Sequence, residues 1–212
     1  CGDSSDFESD FFVGGAGDDT IIGASHDGEF NRVQYRQETG VTSTKGVIVN
    51  LSSSDATVTS TMRTNTGQSG AGNTIVAGTA RDTYGDLDTL DHINNVDGTS
   101  HRDYIITADD GSSVSGYQGN DTFVGGDGWD QLDYFNETRN DSGSGPANGT
   151  HGIIVNLSGI SHTVAAQGVA ARAVVAHTAY DSYGGTDSLT GIESVLGTKC
   201  GDYIFSGGSA NG

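Results

Sequence analysis

A nine-residue spacing separates single apolar residues in several parts of this 212-residue chain. In 116–124 (GYQGNDTFV) and 125–133 (GGDGWDQLD), one apolar side chain occupies the eighth position and an aspartate occupies the sixth. A helix repeats every 3.6 residues and a strand every two, so neither period explains this spacing. The pattern predicts one three-residue strand in each nonapeptide, preceded by a glycine-rich turn.

The same register fits nine nonapeptides, which share an apolar eighth residue and an oxygen-bearing sixth residue. The eighth residues are Phe12, Ile21, Val96, Ile105, Val114, Phe123, Leu132, Val195 and Ile204. The sixth residues are Asp10, Asp19, Asn94, Asp103, Ser112, Asp121, Asp130, Glu193 and Asp202. Because hydrophobic residues make up only 33% of the chain, nine such agreements indicate a structural repeat.

Two consecutive nonapeptides are predicted to form one flattened coil of turn, strand, turn and strand. The side chain of each eighth residue would point inward. Successive coils would stack at the strand spacing of roughly 4.8 Å. Every second nonapeptide would then place its turn above the same edge of the coil. The predicted fold is all-β, an elongated parallel β-roll or β-solenoid.

A longer repeat encloses this short one. The segment 80–105 matches 179–204 at an offset of 99 residues, and GVIVNLS (46–52) matches GIIVNLS (152–158). We therefore predict two tandem units, residues 1–97 and 98–212. A repeat of this length favours an extended array over a compact globule.

One threonine-rich segment of the first unit lies outside the nonapeptides. In 57–66 (TVTSTMRTNT), threonine alternates with other residues. Such alternation predicts an exposed edge strand with solvated hydroxyl groups. An ice-binding or sugar-binding face is the alternative interpretation.

The composition adds a strong negative charge to this picture. The chain has 28 acidic residues against 9 lysines and arginines, a formal charge of −19, and 34 glycines. This charge opposes binding to nucleic acid or insertion into an anionic membrane, and it opposes folding unless cations offset it. No apolar run reaches the roughly 18 residues of a membrane span. Cys1 and Cys200 are too few for a disulfide framework.

Stacked aspartates and open glycine turns predict calcium sites. Calcium binds six to eight oxygens from carboxylates and backbone carbonyls in flexible geometry, whereas magnesium demands a stricter octahedron. Zinc would need clustered His or Cys, and the six histidines are scattered. We predict several calcium ions. The candidate ligands are Asp3, Asp10, Gly15, Gly17, Asp19, Asp103, Gly119, Asn120, Asp121, Gly126, Gly128, Asp130, Glu193 and Asp202.

Particular pairs of ligands follow from a spacing of two nonapeptides. Asp103 is expected to stack on Asp121, and Asp130 to meet Ser112 or Asp110. Asp19 is expected to pair with Asp3 if the preceding turn is shortened. Glu193 and Asn211 are also separated by two nonapeptides, on the edge opposite Asp202.

The nonapeptides 14–22 (GGAGDDTII) and 125–133 resemble the calcium-binding repeat of the repeats-in-toxin (RTX) or hemolysin-type family. The stretch from IIVNLS through YGGTDSLTGIESVLGT to GDYIF resembles longer calcium-binding units of large secreted bacterial proteins. The resemblance covers nearly the whole chain. It implies a parallel β-roll, type I secretion, and folding triggered by extracellular calcium.

The predicted function is structural: a calcium-rigidified module of an extracellular adhesin, stalk or fibre, whose partners are calcium and neighbouring units. Two alternatives remain, a secretion and folding module of a larger exported enzyme or toxin, and a carbohydrate-binding surface domain that takes glycans. An enzyme is not predicted, since the chain has no H-E-x-x-H, no G-x-S-x-G and no Cys/His cluster.

Overall fold

The computed structural model describes residues 9–25, 30–38, 45–68, 74–137, 152–164 and 172–207. These residues form short strands, one α-helix (α1, Ser60–Asn65) and one 3-10 turn (Tyr35–Gln37), so the protein is all-β as predicted. The first ten strands are β1 (Phe11–Phe12), β2 (Thr20–Ile22), β3 (Arg32–Gln34), β4 (Ile48–Asn50), β5 (Ala56–Thr57), β6 (Thr74–Ile75), β7 (Thr79–Arg81), β8 (Leu87–Asp91), β9 (Asn95–Asp97) and β10 (Tyr104–Ile106). The other ten are β11 (Ser113–Ser115), β12 (Thr122–Val124), β13 (Gln131–Asp133), β14 (Ile154–Asn156), β15 (His162–Val164), β16 (Arg172–Val174), β17 (Thr178–Tyr180), β18 (Thr186–Thr190), β19 (Ser194–Leu196) and β20 (Tyr203–Phe205).

A six-stranded sheet, ordered β1-β3-β9-β11-β13-β19, is parallel throughout. Val114 pairs with Val96 on one side and with Leu132 on the other, and each partner lies two nonapeptides away in the chain. The predicted register is therefore confirmed between these nonapeptides.

A ten-stranded sheet, ordered β2-β8-β7-β4-β10-β12-β18-β17-β14-β20, is mixed. Ile105 of β10 pairs in parallel with Phe123 of β12, again at a separation of two nonapeptides. The expectation of parallel strands alone is wrong at β7 and β17, which run antiparallel to both of their neighbours. Each forms a hairpin with the following strand, across a turn at 82–86 or a turn at 181–185.

The main hydrophobic core takes side chains from both sheets. It contains the eighth residues of most nonapeptides, namely Ile21, Val96, Ile105, Val114, Phe123 and Leu132, with Phe12 and Val195 packed partly buried against it. Ile204, on the last strand of the ten-stranded sheet, remains 46% exposed. Burial of these side chains is the main favourable term that the short strands offer, because three residues make few backbone hydrogen bonds.

Two small antiparallel strand pairs pack against the ten-stranded sheet. β5 pairs with β6, and β15 pairs with β16. Under the first lies a cluster of Ile48, Val58, Ile75, Tyr104 and Ile106. The equivalent cluster under the second is Ile154, Val164 and Val174.

The threonine-rich segment 57–66 does not form the predicted edge strand. After β5 it forms α1, whose N-cap Thr59 accepts a hydrogen bond from the Met62 amide at 3.2 Å through its side chain. A capping threonine satisfies one of the free amides of the first helical turn. The alternation of threonines therefore predicted a strand where the chain forms a short capped helix.

The strand series repeats once. β1 to β10 recur as β11 to β20, in the same order within each sheet, and both sheets run on from β9 to β11 and from β10 to β12. The strand series thus restarts at β11, a little after the boundary proposed from the sequence. The division into 1–97 and 98–212 stays a prediction.

Candidate functional site

The turns that precede the ten-stranded sheet carry a ladder of aspartates. The Asp103 amide donates to Asp121 Oδ1, and the Asp121 amide donates to Asp187 Oδ1, both at 2.9 Å. The predicted stacking of Asp103 on Asp121 is therefore present, although through a backbone amide. The Asp19 amide donates likewise to Asp88 Oδ1 at 3.1 Å.

Three of the predicted ligands keep a carboxylate oxygen free of hydrogen bonds. Asp19 Oδ2, Asp121 Oδ2 and Asp130 Oδ1 are buried atoms without a partner. Asp121 and Asp130 are almost completely buried, at 1% and 0% exposure. A buried carboxylate oxygen without a donor is costly unless a cation or proton meets it.

Asp130 lies on the opposite edge, before a strand of the six-stranded sheet. Its Oδ2 accepts a hydrogen bond from the Gly126 amide at 2.9 Å, and its own amide donates to Glu193 Oε2 at 3.0 Å. On the other side, the Gln131 amide donates to the Ser112 carbonyl at 2.8 Å. Ser112 is therefore the neighbour that the nonapeptide spacing predicted.

The glycine turns stack as the spacing requires. A Cβ on Gly128 would stand 2.1 Å from the Gly111 nitrogen, so the two turns touch through their backbones. Gly126 likewise lies over Ala108: a Cβ on Gly126 would stand 3.1 Å from the Ala108 carbonyl oxygen. Backbone this closely packed leaves no room for a side chain at Gly128.

In the turns that precede the ten-stranded sheet, three of the glycines predicted as calcium ligands adopt positive φ. These are Gly15 (88°), Gly17 (115°) and Gly119 (151°). Asn120 lies next to Gly119, and its Oδ1 accepts a hydrogen bond from the Thr186 amide at 2.7 Å. That oxygen bridges two turns.

Asp103 and Asp202 differ from Asp19, Asp121 and Asp130, because donors engage both of their oxygens. Asp103 accepts from the Thr99 amide and hydroxyl at 2.6 and 2.8 Å, and from the Val47 amide at 2.8 Å. Asp202 accepts the equivalent bonds from Thr198 and Ile153. Both carboxylates therefore tie a turn to the neighbouring coil.

The remaining predicted ligands contribute less to the described site. Asp10 and Glu193 are exposed. Asp3 and Asn211, the expected partners of Asp19 and Glu193, lie outside the described residues. The structure instead brings Asp19 to Asp88 and Glu193 to Asp130.

Burial raises the pKa of several of these carboxyl groups. Desolvation, opposed by the hydrogen bonds from Thr99 and Val47, raises the pKa of Asp103 to about 7. Desolvation, followed by the charges of Asp103 and Asp187, raises the pKa of Asp121 well above its ordinary value. Desolvation likewise raises the pKa of Asp187 to about 7. The folded chain thus holds carboxylates that favour either a proton or a cation.

Sequence reasoning missed Asp88 and Asp187, which complete the ladder. They lie 69 and 66 residues from their partners, because long connections separate the paired strands. Both belong to the 99-residue repeat, in YGDLDTL and YGGTDSL. An aspartate at the same place in both copies is the signal that could have identified them.

Oxygen-only donors, glycine turns and free buried carboxylate oxygens fit calcium better than zinc or magnesium. Within the described residues, however, no group of three or more His, Cys, Asp or Glu side chains is arranged to hold a metal ion. Any calcium bound at these turns would take most of its ligands from backbone carbonyls and water.

No protein-family model matches the chain, and neither does any curated protein. Among the described residues, no helix is both long enough and apolar enough to cross a membrane.

Proposed function

We propose that the chain is a calcium-binding structural module of an extracellular bacterial adhesin, stalk or fibre, coiled as a β-roll or β-solenoid. The observation that carries this proposal is the set of free buried oxygens of Asp19, Asp121 and Asp130. All three are sixth residues of nonapeptides that stack on their neighbours, the positions at which the sequence predicts calcium ligands.

Calcium would act by linkage between binding and folding. An ion that binds only the coiled state stabilises that state, and it offsets the repulsion among stacked carboxylates. With a formal charge of −19, the calcium-free chain repels itself strongly. The module would therefore stay extended where calcium is scarce and fold after secretion.

Neighbouring units are the proposed protein partners. Inside the chain, β9 pairs with β11 and β10 pairs with β12, both in parallel. A following unit could join β19 and β20, the terminal strands of the two sheets, in the same way. Ile204 and Leu196 on these strands are exposed, at 46% and 42%, and would become buried.

Circular dichroism with and without EGTA tests this function. The spectrum should be that of a disordered chain in EGTA and should gain β-structure on addition of millimolar calcium. Magnesium at equal concentration is the control and should have much less effect, because it dehydrates reluctantly. A spectrum that is the same in EGTA and in calcium would contradict the proposal.

A further inference from the structure

A second buried acidic cluster lies beside the β17–β18 turn, outside the nonapeptide turns. Its main members, Glu137 and Asp181, are only 2% and 5% exposed. Glu137 Oε1 and Asp181 Oδ2 are buried and have no hydrogen-bond partner. None of the ion pairs among described residues involves either carboxylate.

The contacts of these two residues place them together. Glu137 Oε2 accepts hydrogen bonds from the amide and hydroxyl of Ser182, at 3.3 and 3.1 Å, and Ser182 follows Asp181 directly. Asp181 Oδ1 accepts from the amides of Tyr183 and Gly185, at 2.9 and 2.6 Å. Each carboxylate thus has one oxygen that accepts hydrogen bonds from the turn and one oxygen without a hydrogen-bond partner.

A backbone carbonyl approaches the same place. The position that a Cβ of Gly185 would take lies 2.4 Å from Asp181 Oδ2 and 1.7 Å from the Gly119 carbonyl oxygen. Gly119 belongs to the nonapeptide turn that carries Asp121. The acidic cluster therefore lies where the hairpin turn touches a nonapeptide turn.

The first unit contains the same arrangement 99 residues earlier. Glu38 Oε2 accepts hydrogen bonds from the hydroxyl and amide of Thr83, while Glu38 Oε1 and Asp82 Oδ2 have no partner. Gln68 Nε2 donates to the carbonyls of Gly46 and Asp82, at 2.7 and 2.6 Å. These two bonds fix the amide, so Gln68 Oε1 is a third buried oxygen without a donor.

The first unit also has a positive charge beside its turn. Lys45 Nζ donates to the Tyr84 carbonyl at 3.1 Å, and it lies 3.0 Å from the Cβ position of Gly85. The two clusters share their glutamate and aspartate oxygens, and Lys45 adds a positive charge to the first. The second cluster is the simpler one to test.

We propose that a calcium ion binds between Glu137 Oε1 and Asp181 Oδ2, beside the nonapeptide turn that carries Asp121. Two buried carboxylates require a counter-charge, and an all-oxygen set with a nearby carbonyl is the chemistry that calcium prefers. Since only two carboxylates supply free oxygens, backbone carbonyls and water complete the coordination. The ion ties the 181–185 turn to the segment after β13.

Counting bound ions by native mass spectrometry, with calorimetry for affinity, tests the site in the full chain. Glu137→Gln keeps the shape of the side chain and an oxygen that can accept from Ser182, but removes the charge. The variant should bind one calcium ion fewer than the wild type. Asp181→Asn should lose the same ion, and the double variant should lose no more than one.

Asp130→Asn separates this site from the turn sites of the proposed function. It should lose calcium at the turns and keep the ion between Glu137 and Asp181. The site would be overturned if Glu137→Gln bound as many calcium ions as the wild type, with the same affinity. A β-type circular dichroism spectrum must show that the variant is folded. That result would mean that a proton, rather than calcium, holds the two carboxyl groups together. If Asp130→Asn still loses calcium in that case, the proposed function stands without this site.

Discussion

At the scale of single residues, the sixth-position aspartates divide into two kinds. Asp103 and Asp202 have a threonine four residues earlier, and its amide and hydroxyl both donate to the carboxylate. Asp130 has Gly126 at that position, which offers an amide alone. A threonine four residues earlier therefore accompanies both aspartates, Asp103 and Asp202, that tie turns together.

Asp121→Asn tests a carboxylate of the second kind. The amide oxygen can still accept the hydrogen bond from the Asp103 amide, but the charge at the free oxygen is lost. We expect calcium affinity to fall at least ~10-fold, since even residues that only hydrogen-bond to metal ligands change metal affinity by this much. Isothermal calorimetry would measure the loss.

Asp55→Asn is the matched control for Asp121→Asn. Asp55 lies outside the nine-residue register, and its Oδ1 accepts an exposed hydrogen bond from the Ala77 amide at 3.0 Å. Its substitution should leave calcium affinity unchanged. Equal losses in the two variants would show that general negative charge, rather than the turn position, binds the ions.

The sequence could predict the positions of the ligands but only some of their partners. Pairs two nonapeptides apart, such as Asp103 with Asp121, follow from the register alone. The partners of Asp19 and Asp130 lie 69 and 63 residues away, beyond long connections of irregular length. A fixed spacing cannot identify pairs across such connections.

At the scale of the elements, the apolar eighth residue was a reliable guide to the strands. Three-residue strands present one side chain inward, so a single apolar position identifies each of them. The nine nonapeptides identify nine of the twenty described strands; β7 and β17 are among the strands that they miss, and the inward residues of these two are the small Ala80 and Ala179. Their reversed direction depends on the hairpin turns that follow, which the nine-residue period does not describe.

Gly46→Ala tests the contact between the start of β4 and the turn before β10. A Cβ at Gly46 would stand 1.9 Å from the Arg102 carbonyl oxygen, so the two backbones would have to separate. We expect a loss of about 1–3 kcal/mol in the free energy of unfolding, typical of overpacking. Urea unfolding at saturating calcium would measure it.

Gly159→Ala provides the comparison for Gly46→Ala. Its Cβ would meet nothing within 4 Å, so it should leave stability nearly unchanged or raise it slightly by restricting the unfolded chain. If both variants lose stability equally, the close backbone approach at Gly46 is not what requires glycine.

At the scale of the whole molecule, two sheets run through both units and enclose one core, while the turns along their edges collect the acidic residues. The apolar side chains favour a coiled state that the net charge of −19 opposes. Such a balance makes folding sensitive to any bound positive charge, whether a calcium ion or a proton.

The balance between protons and calcium predicts opposite pH responses in two buffers. In EGTA, Asp103 and Asp187 have folded pKa values of about 7, above the roughly 4 of an unfolded aspartate. A raised folded pKa adds stability that is complete below pH ~4 and is lost as the pH rises through 7. Any residual folded state in EGTA should therefore melt at a higher temperature at pH 5 than at pH 8.

With calcium present, the carboxylates that bind the metal, such as Asp121 with its raised pKa, must be ionised, so protons and calcium compete. The increase in melting temperature that calcium causes should shrink as the pH falls from 8 to 5. Thermal unfolding followed by circular dichroism, in EGTA and in calcium at each pH, measures both trends. A calcium-free melting temperature that rises with pH would mean that the buried carboxylates are stabilised as anions by the fold itself, without proton or metal.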